Sequence, residues 1–400
     1  MPEASVLEAP KVNPAYLALP MLGYMVYAMF RVAFGVALPE IQASYSMSDV
    51  EAGLMVSLGS ISIMLSTLYG GYLTDRLGVL YSFLAGAFLF SLGLALFMFA
   101  LNFWMLTAFL FLAGVGGGIL IPTLYTWAGE VLASYRGLSI GITNALFGVG
   151  GFVGSWLTGS LLKAGFSWVL PFHIFALICF LSALVCTVLR SRLTMGRPPR
   201  RSSGFGYALM LRSKSLLLLF FGMLASNISY FNFVVWIPSF LLRLQNFTID
   251  EGGIALAVFS LAGSVGAVGF GYLYGRIGPG RRGLLASALG FASALIFLPI
   301  VVFSYTALVG FILFAFFGFI LYPYWNLQIT MAQESVDKSV VGRATGLVQS
   351  AGLLASVVGP ALVGLLIEQA GMVIALLATI FLPLIVYGII ILAWKPGKAF

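Results

Sequence analysis

Long runs without a charged residue recur along the chain. Stretches free of Asp, Glu, Lys and Arg cover 12–39 (Arg31 apart), 52–74, 77–129, 137–162 and 164–189, and then 215–242, 252–275, 283–333, 344–367 and 369–394. A helix that crosses a bilayer needs about 20 mostly apolar residues. Each short run therefore predicts one span. The two long runs predict two spans each, turning near Asn102 and near Ser304–Thr306. The order single, single, double, single, single occurs twice, which predicts six spans per half and twelve in all. Barrel strands would alternate polar and apolar with a period of two. These runs do not alternate, and helices are the other way to satisfy backbone polar groups in lipid. The expected fold class is all-α integral membrane, with two pseudo-symmetric six-helix halves at 1–189 and 215–400. Between them, 190–214 contains SRLTMGRPPRRSSG, whose basic residues with Pro, Ser and Gly predict a cytoplasmic linker.

Composition agrees. Of 400 residues, 61% are hydrophobic and 8% charged, where a soluble domain carries roughly 25% charged residues. That excludes an ordinary soluble globule, a disordered chain and a nucleic-acid binder. The net charge of +8 is a matter of placement. Seventeen Lys and Arg fall in loops or tails on one side of the predicted bundle, Lys163 and Arg243 on the other, and Arg31 within a span. By the positive-inside rule both termini lie in the cytoplasm of a multi-pass protein of the cell (inner or plasma) membrane, with anionic lipid headgroups as partners. His173, Cys179 and Cys186 offer neither a disulfide framework nor metal-ligand spacing. His173 is expected to be a packed or interfacial neutral histidine. With no Walker A loop, no metal cluster and no buried acid pair, neither an enzyme nor a cofactor is expected.

An internal repeat connects the halves. Gly71-Tyr-Leu-Thr-Asp-Arg-Leu-Gly78 reappears as Gly271-Tyr-Leu-Tyr-Gly-Arg-Ile-Gly278, and Gly137, Gly141, Gly154 and Gly159 match Gly342, Gly346, Gly359 and Gly364. Duplicated halves mark many secondary transporters. The first loop matches Gly71, Asp75, Arg76 and Gly78 of the signature G-x-x-x-D-R/K-x-G-R-R/K, with Val79 and Leu80 at the last two basic positions. Over nearly its whole length the chain resembles the major facilitator superfamily. That resemblance implies rocker-switch alternating access by a monomer, and a cytoplasmic latch formed by Asp75, Arg76, Glu130, Arg136, Arg276, Glu334 and Arg343. The alternative for these residues is ordinary loop charge matched to helix ends.

Arg31 is the one formal charge deep in a span, and all twelve acids fall at helix ends, in loops or in the N-terminal tail. A charge at that depth costs at least about 2.5 kcal/mol and marks a functional site by default. Its planar fork suits a carboxylate or phosphate; the alternatives are a structural arginine bonded to backbone carbonyls, or one that snorkels outward. Arg31-Val-Ala-Phe-Gly-Val-Ala-Leu-Pro39 is similar to the R-x-x-x-x-x-A-x-P pattern of the organic-anion branches, such as the anion:cation symporters. Those often carry an acid just before the Arg and another in the fourth span, where this chain has Phe30 and Gly117. The expected function is therefore transport of a small organic anion, carboxylate or phosphate ester, with Arg31 as ligand. A coupling ion, proton or sodium, stays open, as do uniport, symport and exchange. Tyr24, Tyr27, Asn144, Asn227, Tyr230, Asn232, Tyr324, Asn326 and Gln349 complete the candidate site. A Pro-interrupted stretch, Tyr322-Pro-Tyr-Trp-Asn326, adds weight to the tenth span. Two other functions remain open: efflux of hydrophobic compounds by the same superfamily, which its usual Gly-Pro in the fifth span disfavours here (Gly154-Ser155), and a non-transporting receptor of the same fold.

Overall fold

The structure, a computed structural model, describes residues 15–131, 136–190, 212–337 and 341–395. Most of the predicted linker lies outside them, as do the side chains of Glu130, Arg136 and Asn144. Among the described residues there is no strand, and twelve helices are long and apolar enough to cross a membrane. They are α1 (Ala15–Tyr45), α2 (Asp49–Leu77), α3 (Val79–Ala95, prolonged by a 3₁₀ turn Leu96–Phe99), α4 (Phe103–Val131), α5 (Arg136–Lys163) and α6 (Val169–Val188). Then follow α7 (Lys214–Leu244), α8 (Ile249–Arg276), α9 (Pro279–Val302), α10 in two parts (Ala307–Leu321 and Pro323–Glu334), α11 (Val341–Ala370) and α12 (Met372–Leu392). The chain turns between Phe99 and Phe103 and between Val302 and Ala307, the two places where the uncharged runs had to be divided.

The turns after α2 and α8 lie on one face, with Arg76, Arg276, Arg281 and Arg282, and this is the basic face. On the opposite face the repeat shows in the caps. Ser48 starts α2 with its hydroxyl accepting from the Glu51 N–H (3.2 Å), while the Glu51 carboxylate accepts from the Ser48 N–H (2.9 Å). Thr248 and Glu251 repeat the arrangement at α8. Each box satisfies two of the donors that a helix start leaves open.

Two helices depart from regular geometry, each for a local reason. In α10, Pro323 has no N–H to give the carbonyl one turn back, and the helix restarts after Tyr322. In α12, residues Leu377–Phe381 form a π turn, which leaves carbonyls free. Buried side chains of α7 fill two of them: the Ser229 hydroxyl donates to the Ile380 carbonyl (2.9 Å) and the Asn232 amide to the Thr379 carbonyl (3.4 Å). Both cysteines are free and buried. His173 on α6 bonds through Nε2 to the Ala95 carbonyl (3.2 Å), joining α6 to the end of α3.

The orientation is testable at exposed positions. A cysteine at Asn102, on the opposite face, should react in intact cells with a membrane-impermeant maleimide, and one at Lys395 only after permeabilisation. The reverse labelling would invert the topology.

Candidate functional site

The first six and last six helices meet at mid-depth where α1 crosses α7. Gly35 lies against the Val234 carbonyl, and a Cβ at Gly35 would collide with that backbone. Only glycine permits this approach. One turn back on each helix sit Arg31 and Phe231, so the backbone contact sets them in register. The Arg31 Cζ stands 4.8 Å above the centre of the Phe231 ring. Both side chains are half-buried. No ion pair reaches Arg31 among the described residues. Beside it is a cavity of about 30 Å³ whose walls include Phe30, Phe34, Val56, Leu110 and Phe231.

Toward the basic face the helices present tyrosines to one another. The Tyr24 ring lies 6.2 Å from Tyr27, 6.0 Å from Tyr125 and 6.0 Å from Phe147, and its hydroxyl bonds to that of Tyr125. From the last six helices, the Tyr230 and Tyr322 hydroxyls lie 3.3 Å apart, and the Tyr324 hydroxyl donates to the Asn227 side-chain carbonyl (3.2 Å). Tyr27 and Tyr230 fall within electrostatic reach of the Arg31 charge. Thus Arg31, Tyr24, Tyr27, Tyr230 and Tyr324 are brought into one region. Asn326 and Gln349 are half-buried. Asn227 and Asn232 are fully buried and tied to backbone carbonyls, of Met223 (2.8 Å) and Thr379. Tyr125, Phe147 and Phe231 join the group without any signal in their local sequence; only helix packing reveals them.

The two positions where the organic-anion branches often carry acids have acquired other work. Gly117 faces the Tyr27 ring, whose nearest carbon would be 2.7 Å from an added Cβ. Phe30 packs edge-on against Phe90 (5.5 Å), Phe34 and Phe172. A carboxylate at either site would displace a ring.

The opposite face is closed by contacts between the two sets of helices. Arg243 at the end of α7 pairs with Asp49 at the start of α2 (2.8 Å) and also donates to Gln42 (3.1 Å). Lys163 at the end of α5 pairs with Asp250 at the start of α8 (2.7 Å). Glu368 on α11, the repeat partner of Lys163, accepts from the Val50 N–H (3.1 Å), and the Ala361 N–H donates to the Ser57 hydroxyl (3.1 Å). On the basic face four contacts each stay within one set. Arg282 pairs with Glu334, which also accepts from Tyr274 (3.0 Å). Arg276 lies over Tyr272 (4.5 Å), and Arg76 donates to the Tyr72 hydroxyl (3.3 Å). Asp75 is exposed and Arg343 half-buried.

Comparison with known proteins places this geometry. A family model described as Major Facilitator Superfamily matches residues 21–360. A hexuronate transporter of Bacillus subtilis is 25% identical over 381 residues, covering 90% of this chain and 88% of its own length. A cis,cis-muconate transport protein of Acinetobacter baylyi is 26% identical over 351 residues, covering 82% of each chain. Among solved structures, a bacterial homologue of the human lysosomal transporter Spinster superposes with a TM-score of 0.71 at 17% identity, over 95% of this chain and 94% of that one.

Exposed ion pairs contribute roughly 0.2–1 kcal/mol each. Removing both cross-set pairs with Asp49→Asn and Asp250→Asn should therefore shift a two-state equilibrium several-fold toward opening of this face. Spin labels at Phe166 and Thr306, measured by pulsed dipolar spectroscopy, should show a larger population at long distance. An unchanged distribution would make the pairs surface decoration.

Proposed function

We propose, from the premise that this chain belongs to the Major Facilitator Superfamily, that it carries a small organic anion, a carboxylate or phosphate ester, across the membrane with Arg31 as the anion ligand. One observation carries the reading: a guanidinium at mid-depth between the two sets of helices, without an acid partner among the described residues, beside a cavity that admits a small group. Such a charge is retained in a bilayer when it does something. Relatives named for the transport of hexuronate and of muconate, both organic acids, support it.

Tyr24, Tyr27, Tyr230, Tyr324, Asn144, Asn326 and Gln349 surround the bound anion. Asn227 and Asn232 act one layer back, the first holding Tyr324 and the second fastening α12. The halves 1–189 and 215–400 rock about the α1–α7 crossing, linked through 190–214. The pairs Arg243–Asp49 and Lys163–Asp250 hold one state. In the other, Asp75, Arg76, Glu130, Arg136, Arg276, Glu334 and Arg343 latch the basic face. Both termini lie in the cytoplasm, and one copy contains the whole path.

If Arg31 grips the anion at two points, Arg31→Lys keeps the charge and loses the fork, and affinity should fall. Arg31→Ala should weaken binding by about tenfold or more while melting temperature holds, because an unpaired buried charge is removed. Anion titration beside thermal unfolding checks both. A stable Arg31→Ala protein that binds normally ends the reading.

With Phe30 and Gly117 committed to ring packing, no intramembrane acid is at hand to ferry a proton. In liposomes loaded with a pH-sensitive dye, downhill anion flux should leave the dye signal flat, and anion-dependent acidification inside would show proton coupling.

A further inference from the structure

The surroundings of Arg31 also select among anions, on the reading that Arg31 is the ligand. The Arg31 Cζ stands over the Phe231 ring at 4.8 Å, a contact with the ring's negative face, and no ion pair or hydrogen bond from the guanidinium is seen among the described residues. The adjoining cavity, about 30 Å³, has room for about two water-sized groups, the bulk of a carboxylate head. Arg31 supplies the one polar side chain of its lining. A hydroxyl placed there finds no neutral partner.

Toward the basic face the neighbouring side chains are rings: Tyr24 lies against Tyr27, Tyr125 and Phe147, and Tyr230 against Tyr322. Their hydroxyls are largely engaged with one another, Tyr24 with Tyr125 and Tyr230 with Tyr322, while Tyr324 is taken by Asn227. A sugar acid brings several hydroxyls whose bonds to water must be replaced on binding, and a surround made mostly of rings with a few amides leaves part of them unmatched. A flat unsaturated body has no such requirement and gains from ring-to-ring contact. The two relatives named above differ on this axis, one for a hexuronate and one for a conjugated acid, and the chemistry of the walls decides between them.

We infer that the substrate is a planar aromatic or conjugated carboxylate rather than a polyhydroxylated sugar acid, and that Phe231 is a specificity-determining residue, holding the Arg31 fork and forming one wall for the planar body. Its place on α7 is set by the Gly35–Val234 contact one turn away.

The test uses the full-length protein in detergent and three probes: benzoate, cis,cis-muconate and galacturonate. Titrations followed by intrinsic tryptophan fluorescence and by thermal shift should show benzoate and muconate binding at least about tenfold more tightly than galacturonate. Phe231→Leu should weaken benzoate by about three- to tenfold and leave galacturonate where it was. Phe231→Tyr, which keeps the ring, should restore benzoate, a rescue that a purely structural role would not track. Galacturonate binding as tightly as the planar acids, or a benzoate-to-galacturonate ratio unmoved by Phe231→Leu, overturns the inference. The underlying reading fails differently. If galacturonate alone binds and Arg31→Ala abolishes it, Arg31 remains the anion ligand and only the substrate class is wrong. If no probe binds, both fall.

Discussion

A guanidinium held at mid-depth in a bilayer sets the terms for the rest of this structure. Its presence costs at least about 2.5 kcal/mol, and the ring of Phe231 returns about 0.5–2 kcal/mol through the cation–π contact. The balance leaves the charge under-compensated, which on the proposed reading is what an anion relieves. The contact also has to be reproducible. That is the role of Gly35, whose missing side chain lets α1 and α7 touch backbone to backbone and fixes Arg31 against Phe231 one turn away. One of the places where the two sets of helices touch therefore lies beside the charge.

Closure of the opposite face rests on contributions that are individually small. The Lys163 side chain is 64% exposed and the Arg243 side chain 40%, which keeps both pairs near the weak end of the range for ion pairs. The Val50–Glu368 and Ser57–Ala361 bonds add comparable amounts. Contacts this modest are strong enough to bias a population and weak enough to be reversed by the binding energy of a small ligand. The near-equivalence of α2–α11 and α5–α8 follows from the duplicated sequence: Glu368 stands where Lys163 stands in the first half, and the capping boxes Ser48–Glu51 and Thr248–Glu251 recur at one spacing.

The number of helices, their turning points and the isolation of Arg31 were legible in the chain because each is a property of hydropathy and charge along one dimension. The break in α10 was legible because proline acts locally. What escaped needs two distant segments at once. Asp49, Lys163, Arg243 and Asp250 entered the sequence reading only as topology signals or helix-end charges, although their pairing closes a face. Asn232 looks in sequence like its neighbour Asn227, yet its partner is a carbonyl released by a π turn in α12, and no local pattern in Leu377–Phe381 announces that turn. Gly117 and Phe30 stand out in sequence as missing acids. In space they are the positions that Tyr27 and a four-ring aromatic cluster require.

One fixed cation with no titratable acid beside it among the described residues divides the transport cycle unevenly, on the reading that Arg31 binds the anion. A monovalent anion on the guanidinium makes the loaded centre neutral, so the halves can rock with little net charge crossing the low-dielectric middle. The empty centre carries the whole positive charge through the same movement, and a negative interior opposes its return outward by about 2.3 kcal/mol per 100 mV for a full charge displacement. A neighbouring carboxylate would cancel that charge by ionising when the anion leaves. Here the places for one are occupied by Phe30 and by the ring over Gly117. The electrostatics therefore favour a cycle in which the site reorients loaded in both directions, one anion carried in against another carried out. The aromatic packing that excludes the acid is then also what makes exchange the easier mode.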